Sequence, residues 1–323
     1  MRSTMTDSRQ TRAVPAQLSH RGAILAYVGG LAVLAAAATA SAVFVRGPAV
    51  ATGPIVEFRD GPADWTGGSF RIEYAFSLSQ RVTLEGDERL EACGAMLLAA
   101  AGLEGHSLNT TREERFDCEL VVLEAAEGEP IRFRLAFGDV QDSERPNARE
   151  LAARSVLAVG RPGERIFSLE DGSPLDRQSL SFLQGHFGKT LRDITIKRPG
   201  EKRLSVGETV EVHEGKGRMR ILEVRPHGGI ECAALEIEAT DASDSDETTE
   251  KHRTRGTSVG KTTARMLVPI DGSSPCGEVE LHLTVASTAV LTMSSGAGEL
   301  SGAEATFELR LESVVFMACW PAE

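Results

Sequence analysis

Three short patterns in the last third of the chain have the form of known chemistry. Gly256-Thr257-Ser258-Val259-Gly260 matches G-x-S-x-G, in which a serine stands on a sharp strand-to-helix turn, exposed for nucleophilic attack. Ser258-Val259-Gly260-Lys261 matches S-x-x-K, in which a lysine sits beside a nucleophilic serine. Gly260-Lys261-Thr262 resembles the end of a phosphate-binding loop, but that loop requires glycine at position 255, where Arg255 stands. The residues before the motif, 241–255, are polar and charged and offer no apolar strand to carry a nucleophile elbow. All three patterns are therefore read as part of a solvated loop.

The same stretch holds Asp241, Asp244, Asp246, Glu247 and Glu250, hard oxygen donors suited to a cation such as calcium. Their spacing departs from an EF-hand loop. The basic run Lys251, His252, Arg253 and Arg255 that follows points to a mobile, solvated excursion between strands. The histidines are dispersed, with no H-x-x-x-H pair and no local Cys/His cluster, so no zinc site is read. His282 falls on the polar side of its segment beside Glu280 and is expected at the surface. No catalytic, cofactor-binding or metal-ligating residue is assigned on these grounds. The enzymatic alternative is a hydrolase whose histidine meets a carboxylate or serine from a distant strand.

Five cysteines, Cys93, Cys118, Cys232, Cys276 and Cys319, contain no C-x-x-C pair. Cys93 with Cys118 and Cys232 with Cys276 are the nearest neighbours in sequence for disulfides in an oxidising compartment, and buried free thiols are the competing reading.

The elements that would position such groups begin with a membrane-directed segment. Residues 23–45 (AILAYVGGLAVLAAAATASAVFV) lie between Arg21 and Arg46 and lack Asp, Glu, Lys, Arg and His. At about 1.5 Å per residue they span roughly 34 Å, enough for a hydrocarbon core of about 30 Å. Arg2, Arg9, Arg12 and Arg21 against the single acid Asp7 keep residues 1–22 cytoplasmic and send the rest outside. The segment is expected to stay as an anchor. The competing fate is cleavage after Ala40-Ser41-Ala42, which would release the chain. The net charge of -12 becomes more negative once the arginine-rich leader is set aside, and a surface of that sign repels nucleic acid.

Residues 46–64 are Gly- and Pro-rich and read as a linker. Beyond it the apolar period is two. Phe70, Ile72, Tyr74, Phe76 and Leu78 alternate with polar or small residues, and Val82 and Leu84 resume the pattern. Residues 116–123 and 131–137 form a hairpin about Glu127-Gly128-Glu129-Pro130, and residues 155–159 and 165–169 another about Arg161-Pro162-Gly163-Glu164. A helix is expected from Ser173 as cap, with Pro174 first and an apolar stripe of Leu175, Leu180, Leu183 and Phe187. Residues 90–103 suggest a second, shorter helix. Short strands follow at Ile194, Leu204, Val210, Met219 and Ile230, the last with a bulge at Ala234-Leu235 where the apolar phase shifts. Val279 to Val285 and Ala303 to Leu311 give two long alternating strands.

Half-buried alternation at this spacing predicts a mostly β, antiparallel fold, since parallel strands are covered on both faces. A large curved sheet or half-barrel, or two stacked β domains, fits it, with residues 65–195 as a first half and 196–323 as a second. The function expected from all this is that of a membrane-anchored or exported bacterial envelope protein. Its non-catalytic β region would bind a ligand or partner, a lipid or another envelope protein, without a cofactor.

Overall fold

The computed structural model describes residues 53–58, 65–88, 107–189, 203–212, 215–248, 252–271, 275–294, 297 and 301–322. The membrane segment 23–45, the cleavage site at Ala42, the helix expected over 90–103, Ile194, Glu250 and Cys93 lie outside these residues. No helix among the described residues is long and apolar enough to cross a membrane.

The strands are β1 (Ile55–Glu57), β2 (Ser69–Gly86), β3 (Ser107–Ala126), β4 (Glu129–Asp142), β5 (Ser155–Val159), β6 (Ile166–Leu169), β7 (Arg203–Ser205), β8 (Thr209–Val212), β9 (Gly217–His227), β10 (Ile230–Thr248), β11 (His252–Pro269), β12 (Gly277–Met293) and β13 (Glu304–Pro321). A 3-10 turn occupies Pro146–Leu151 and one helix, α1, spans Arg177–Phe187. Eleven strands form one antiparallel sheet in the order β6-β5-β4-β3-β2-β13-β12-β11-β10-β9-β8, and β1 pairs separately with β7. The fold is mostly β. Its two chain halves meet at β2 and β13, which pair from Phe70–Pro321 to Gly86–Ala305. A twisted open sheet of this width curls, because strand twist accumulates beyond about ten strands.

Alternation was the reliable signal. Residues 82–84 continue β2 without a break, and the bulge falls between Ala234 and Leu235, where β10 shifts register against β9. The hairpin of β3 and β4 turns at Glu127 and Gly128, both at positive φ (54° and 79°), a pair that matches the twist of the flanking strands.

Three expectations need correction. Residues 241–248 and 252–260 are strand, not a solvated loop: they complete β10 and β11 in unbroken register from Cys232–Pro269 to Thr248–Arg253. Cross-strand pairing overrides their weak β-propensity, and Asp246 bonds both Arg253 and Arg255 across the pair. The helix begins later than expected. Asp176 is the cap, its carboxylate accepting the N–H groups of Gln178 and Ser179, so Ser173 and Pro174 precede the helix. Its buried stripe is Ser179, Phe182, Leu183 and Phe187, while Leu180 faces solvent. Finally, part of the expected linker is packed: Val56 and Phe58 are buried with Leu204, Val210 and Ile221.

Candidate functional site

Strand registers map one face of the sheet, here the inner face, as rows running across strands. One row reads Phe116, Tyr74, Met317, Val279, Met266, Leu235 and Ile221 from β3 to β9. The next reads Glu114, Phe76, Val315, Leu281, Ala264, Ile237 and Met219. Each row starts and ends in a different environment.

At the β3 side the face is closed. Helix α1 lays Phe182, Leu183 and Phe187 on Phe116 and Phe137, with ring centroids 5.4 to 6.1 Å apart. Two polar anchors hold the helix there. In the first, Glu114, only 3% exposed, is paired by His186 of α1, by Arg112 at 3.0 Å and by Arg145 at 3.3 Å. Asp142, also buried, accepts Arg145 Nε at 2.5 Å and the backbone N–H groups of Glu144 and Arg145 at 2.8 and 3.0 Å. The imidazole of His186 is caged by Phe182, Phe116 and Tyr74 at 4.8 to 5.1 Å.

Burial works to raise the Glu114 carboxyl, but the bond from His186, its charge and that of Arg145 outweigh it and hold the group below its ordinary value. Burial first, then the Glu114 charge, push the Tyr74 phenol up to about 12. In the second anchor the guanidinium of Arg165, 2% exposed, donates to the carbonyls of Phe187 at 2.6 Å, Lys189 and Pro130 at 3.0 Å. A cation on the last carbonyls of a helix also complements its dipole.

At the β9 side the face is closed again, by β1 and β7 over Met219, Ile221 and Leu235. Between the two closures it is open. Phe76, Leu78, Val82, Val279, Leu281, Val285, Leu309, Val315 and Met317 point inward from β2, β12 and β13, and each stays half-buried. Beside them runs a floor of small residues: Gly256, Ser258 and Gly260 of β11 face Ala289, Ser287 and Val285 of β12.

The sequence motifs dissolve on this map. Gly256 to Gly260 lies inside a strand with no helix after it, so no nucleophile elbow forms. Ser258 points inward and Lys261 outward, because residues three apart on a strand face opposite ways. Asp244 and Asp246 lie on the outer face, Asp241 and Glu247 on the inner, so these carboxylates do not converge. His282 is exposed on the outer face and bonds Glu280 at 3.0 Å. The stripe residue Leu175 packs on the core beside α1. Cys118, Cys232, Cys276 and Cys319 are all buried as free thiols.

Sequence reasoning missed the Glu114 and His186 pair, which are 72 residues apart. The signal was present: carrying the phase of Phe116, Cys118 and Leu120 backward along β3 places Glu114 and Arg112 on the inner face.

A histidine bonded to a buried carboxylate is the orienting half of a general base. The other half is missing here. Glu114 is already bound by two guanidinium groups, and the α1 hydroxyl of Ser179 is spent on the carbonyl of Asn147. The geometry serves to fix α1 on the sheet.

No family model matches the chain, and no curated protein matches it. Among solved structures, an outer membrane lipoprotein-sorting protein domain from Vibrio parahaemolyticus aligns over 78% of this chain and 87% of its own, at 12% identity and a TM-score of 0.17. A DUF1329 family protein from Desulfovibrio piger aligns over 76% and 84%, at 10% identity and a TM-score of 0.11. At such scores neither a fold nor a function carries across.

Proposed function

We propose that the chain is an envelope protein whose inner sheet face binds an apolar, chain-like ligand and carries out no covalent chemistry. In this reading residues 1–22 stay in the cytoplasm, 23–45 cross the membrane or are cleaved near Ala42, and the β-rich remainder, 65–195 and 196–323, works outside. The observation that supports it is the half-buried apolar strip between the two closed ends of the inner face. Apolar side chains left partly in water on a face with closed flanks are the setting in which a hydrocarbon gains about 0.8 kcal/mol for each methylene it buries. The adjoining small residues would let a chain lie close to the backbone of β11. An acyl lipid meets those terms.

Residues 42–323 form one compact unit, so the portion from residue 47 carries the whole sheet and serves as the test protein. Native mass spectrometry after export in a bacterial host is expected to show a bound lipid. Leu309→Lys, which places an ammonium group in the strip, is expected to lose it while keeping the far-UV spectrum. A protein that emerges bare and takes up no added fatty acid or phospholipid refutes the reading.

The hydrolase alternative has one observation in its favour, the bond between His186 and Glu114. Hydrolysis of model esters that is abolished by His186→Gln would establish it in place of simple binding.

A further inference from the structure

Two of the four described cysteines stand in a relation that spacing in the sequence conceals. Gly277, the first residue of β12, pairs with Cys319 near the end of β13, so Cys276 is one position off Cys319 on the adjacent strand. A strand spacing of about 4.8 Å and one residue of rise, about 3.4 Å, put such Cα atoms about 6 Å apart. That lies inside the window of roughly 4.4 to 6.8 Å that a disulfide requires.

Side chains one position off normally point to opposite faces of a sheet. Here they do not. Cys276 precedes the first paired residue, and Gly277 has a φ of 155°, which breaks the alternation at that point. Both sulfurs end in the same buried cluster, and the two thiols are hydrogen-bonded to each other.

The register removes the competing pairs. Cys118 is separated from Cys319 by β2, with Ile72 between them, and Cys232 is opposite Pro269 of β11, the strand lying between β10 and β12. Each is two strand spacings away, about 10 Å, too far for a bridge.

We propose that Cys276 and Cys319 form a disulfide when the chain folds in the presence of a disulfide oxidant, tying the start of β12 to the end of β13. The inference rests on the extracytoplasmic reading only for where this happens; the geometry itself does not depend on it. The step is thiol–disulfide exchange with an oxidised dithiol or oxidised glutathione. One cysteine thiolate attacks the oxidant's disulfide and forms a mixed disulfide. The second displaces the oxidant's remaining sulfur, the S–S bond closes, and two electrons and two protons leave with the reduced oxidant. Because both thiols are 3% exposed in the folded chain, exchange occurs before the core closes over them.

The test uses the full chain, reduced and unfolded in denaturant, then refolded with oxidised and reduced glutathione. Free thiols are alkylated after a second denaturation and the digest is mapped by mass spectrometry without reduction. The expected product is one linked peptide pair joining Cys276 to Cys319, lighter than the two free peptides by two hydrogens, with Cys118 and Cys232 alkylated. Cys276→Ser is expected to abolish the linkage and leave Cys319 alkylated. Alkylation of both Cys276 and Cys319 in the wild-type chain, or a link from either one to Cys118 or Cys232, overturns the proposal. A chain that forms this link in vitro but holds free thiols when isolated from cells refutes the extracytoplasmic placement and leaves the geometry standing.

Discussion

The β3 end of the inner face and its middle are built from the same strands, yet they solve opposite problems. At the end, β2 and β3 place Ile72, Phe116 and Leu120 under a helix, and the charges brought along by that helix are matched one by one: His186 on Glu114, Arg145 on Asp142. A few residues further along the same strands, Leu78, Val82 and Leu309 project from the same face without a described element closing over them. Periodicity sets which way a side chain points; it does not decide whether anything covers it. What separates the two regions is the set of buried ionic anchors, which commit α1 to one end and leave the rest of the face for another occupant.

The largest effect is expected at the anchors. Glu114→Ala leaves His186 and Arg145 without their carboxylate partner and should cost about 3–5 kcal/mol in urea unfolding. A loss below about 1 kcal/mol would mean that the network does not hold the closed end. Phe182→Ala, which opens a cavity beneath α1, should cost about 3–5 kcal/mol, whereas Leu309→Ala in the open strip should cost under about 2 kcal/mol. Equal losses for the two would erase the distinction between the regions.

Acid should act on the closed end first. Glu114 has a folded value below the ordinary 4.5, so its stabilisation is complete above that value and is lost as the pH falls through the folded one. The thermal midpoint should therefore drop below about pH 4.5. Glu114→Gln, already lacking the ionised form, should flatten that part of the profile.

The smallest effect sharpens the face assignment. His282→Asp on the outer face should stay within about ±0.5 kcal/mol, while Leu283→Asp beside it buries an unpaired charge and should cost several kcal/mol. Leu283 replaces Leu281 as the better probe, because Leu281 is half-exposed and Leu283 is not.

Much of the fold was legible because period two is a local property. The bulge at Ala234-Leu235 is visible in a few residues of sequence. The β10–β11 arm was not, since its strand character comes from partners such as Asp246 with Arg253 and Arg255, not from the residues' own preferences. The helix start was misjudged because Ser173 and Asp176 both satisfy a capping pattern, and only packing decides which turn the chain adopts. The anchors were the least legible part. Glu113 and Glu114 are chemically alike, and only the strand phase tells that the second is buried. Arg165 looks like an ordinary turn residue until the helix end arrives 22 residues later.

The junction of β2 and β13 has a consequence for how the molecule is made. These neighbours at the centre of the sheet are more than 200 residues apart in the chain. Contacts of such separation fold slowly, since a long loop must close before they form. Until the final strand emerges from biosynthesis or translocation, β2 carries a long edge of unsatisfied amide and carbonyl groups, a surface that invites aggregation. The nascent chain therefore needs a holding factor that shields this edge, and a copy truncated before residue 304 should accumulate as insoluble material.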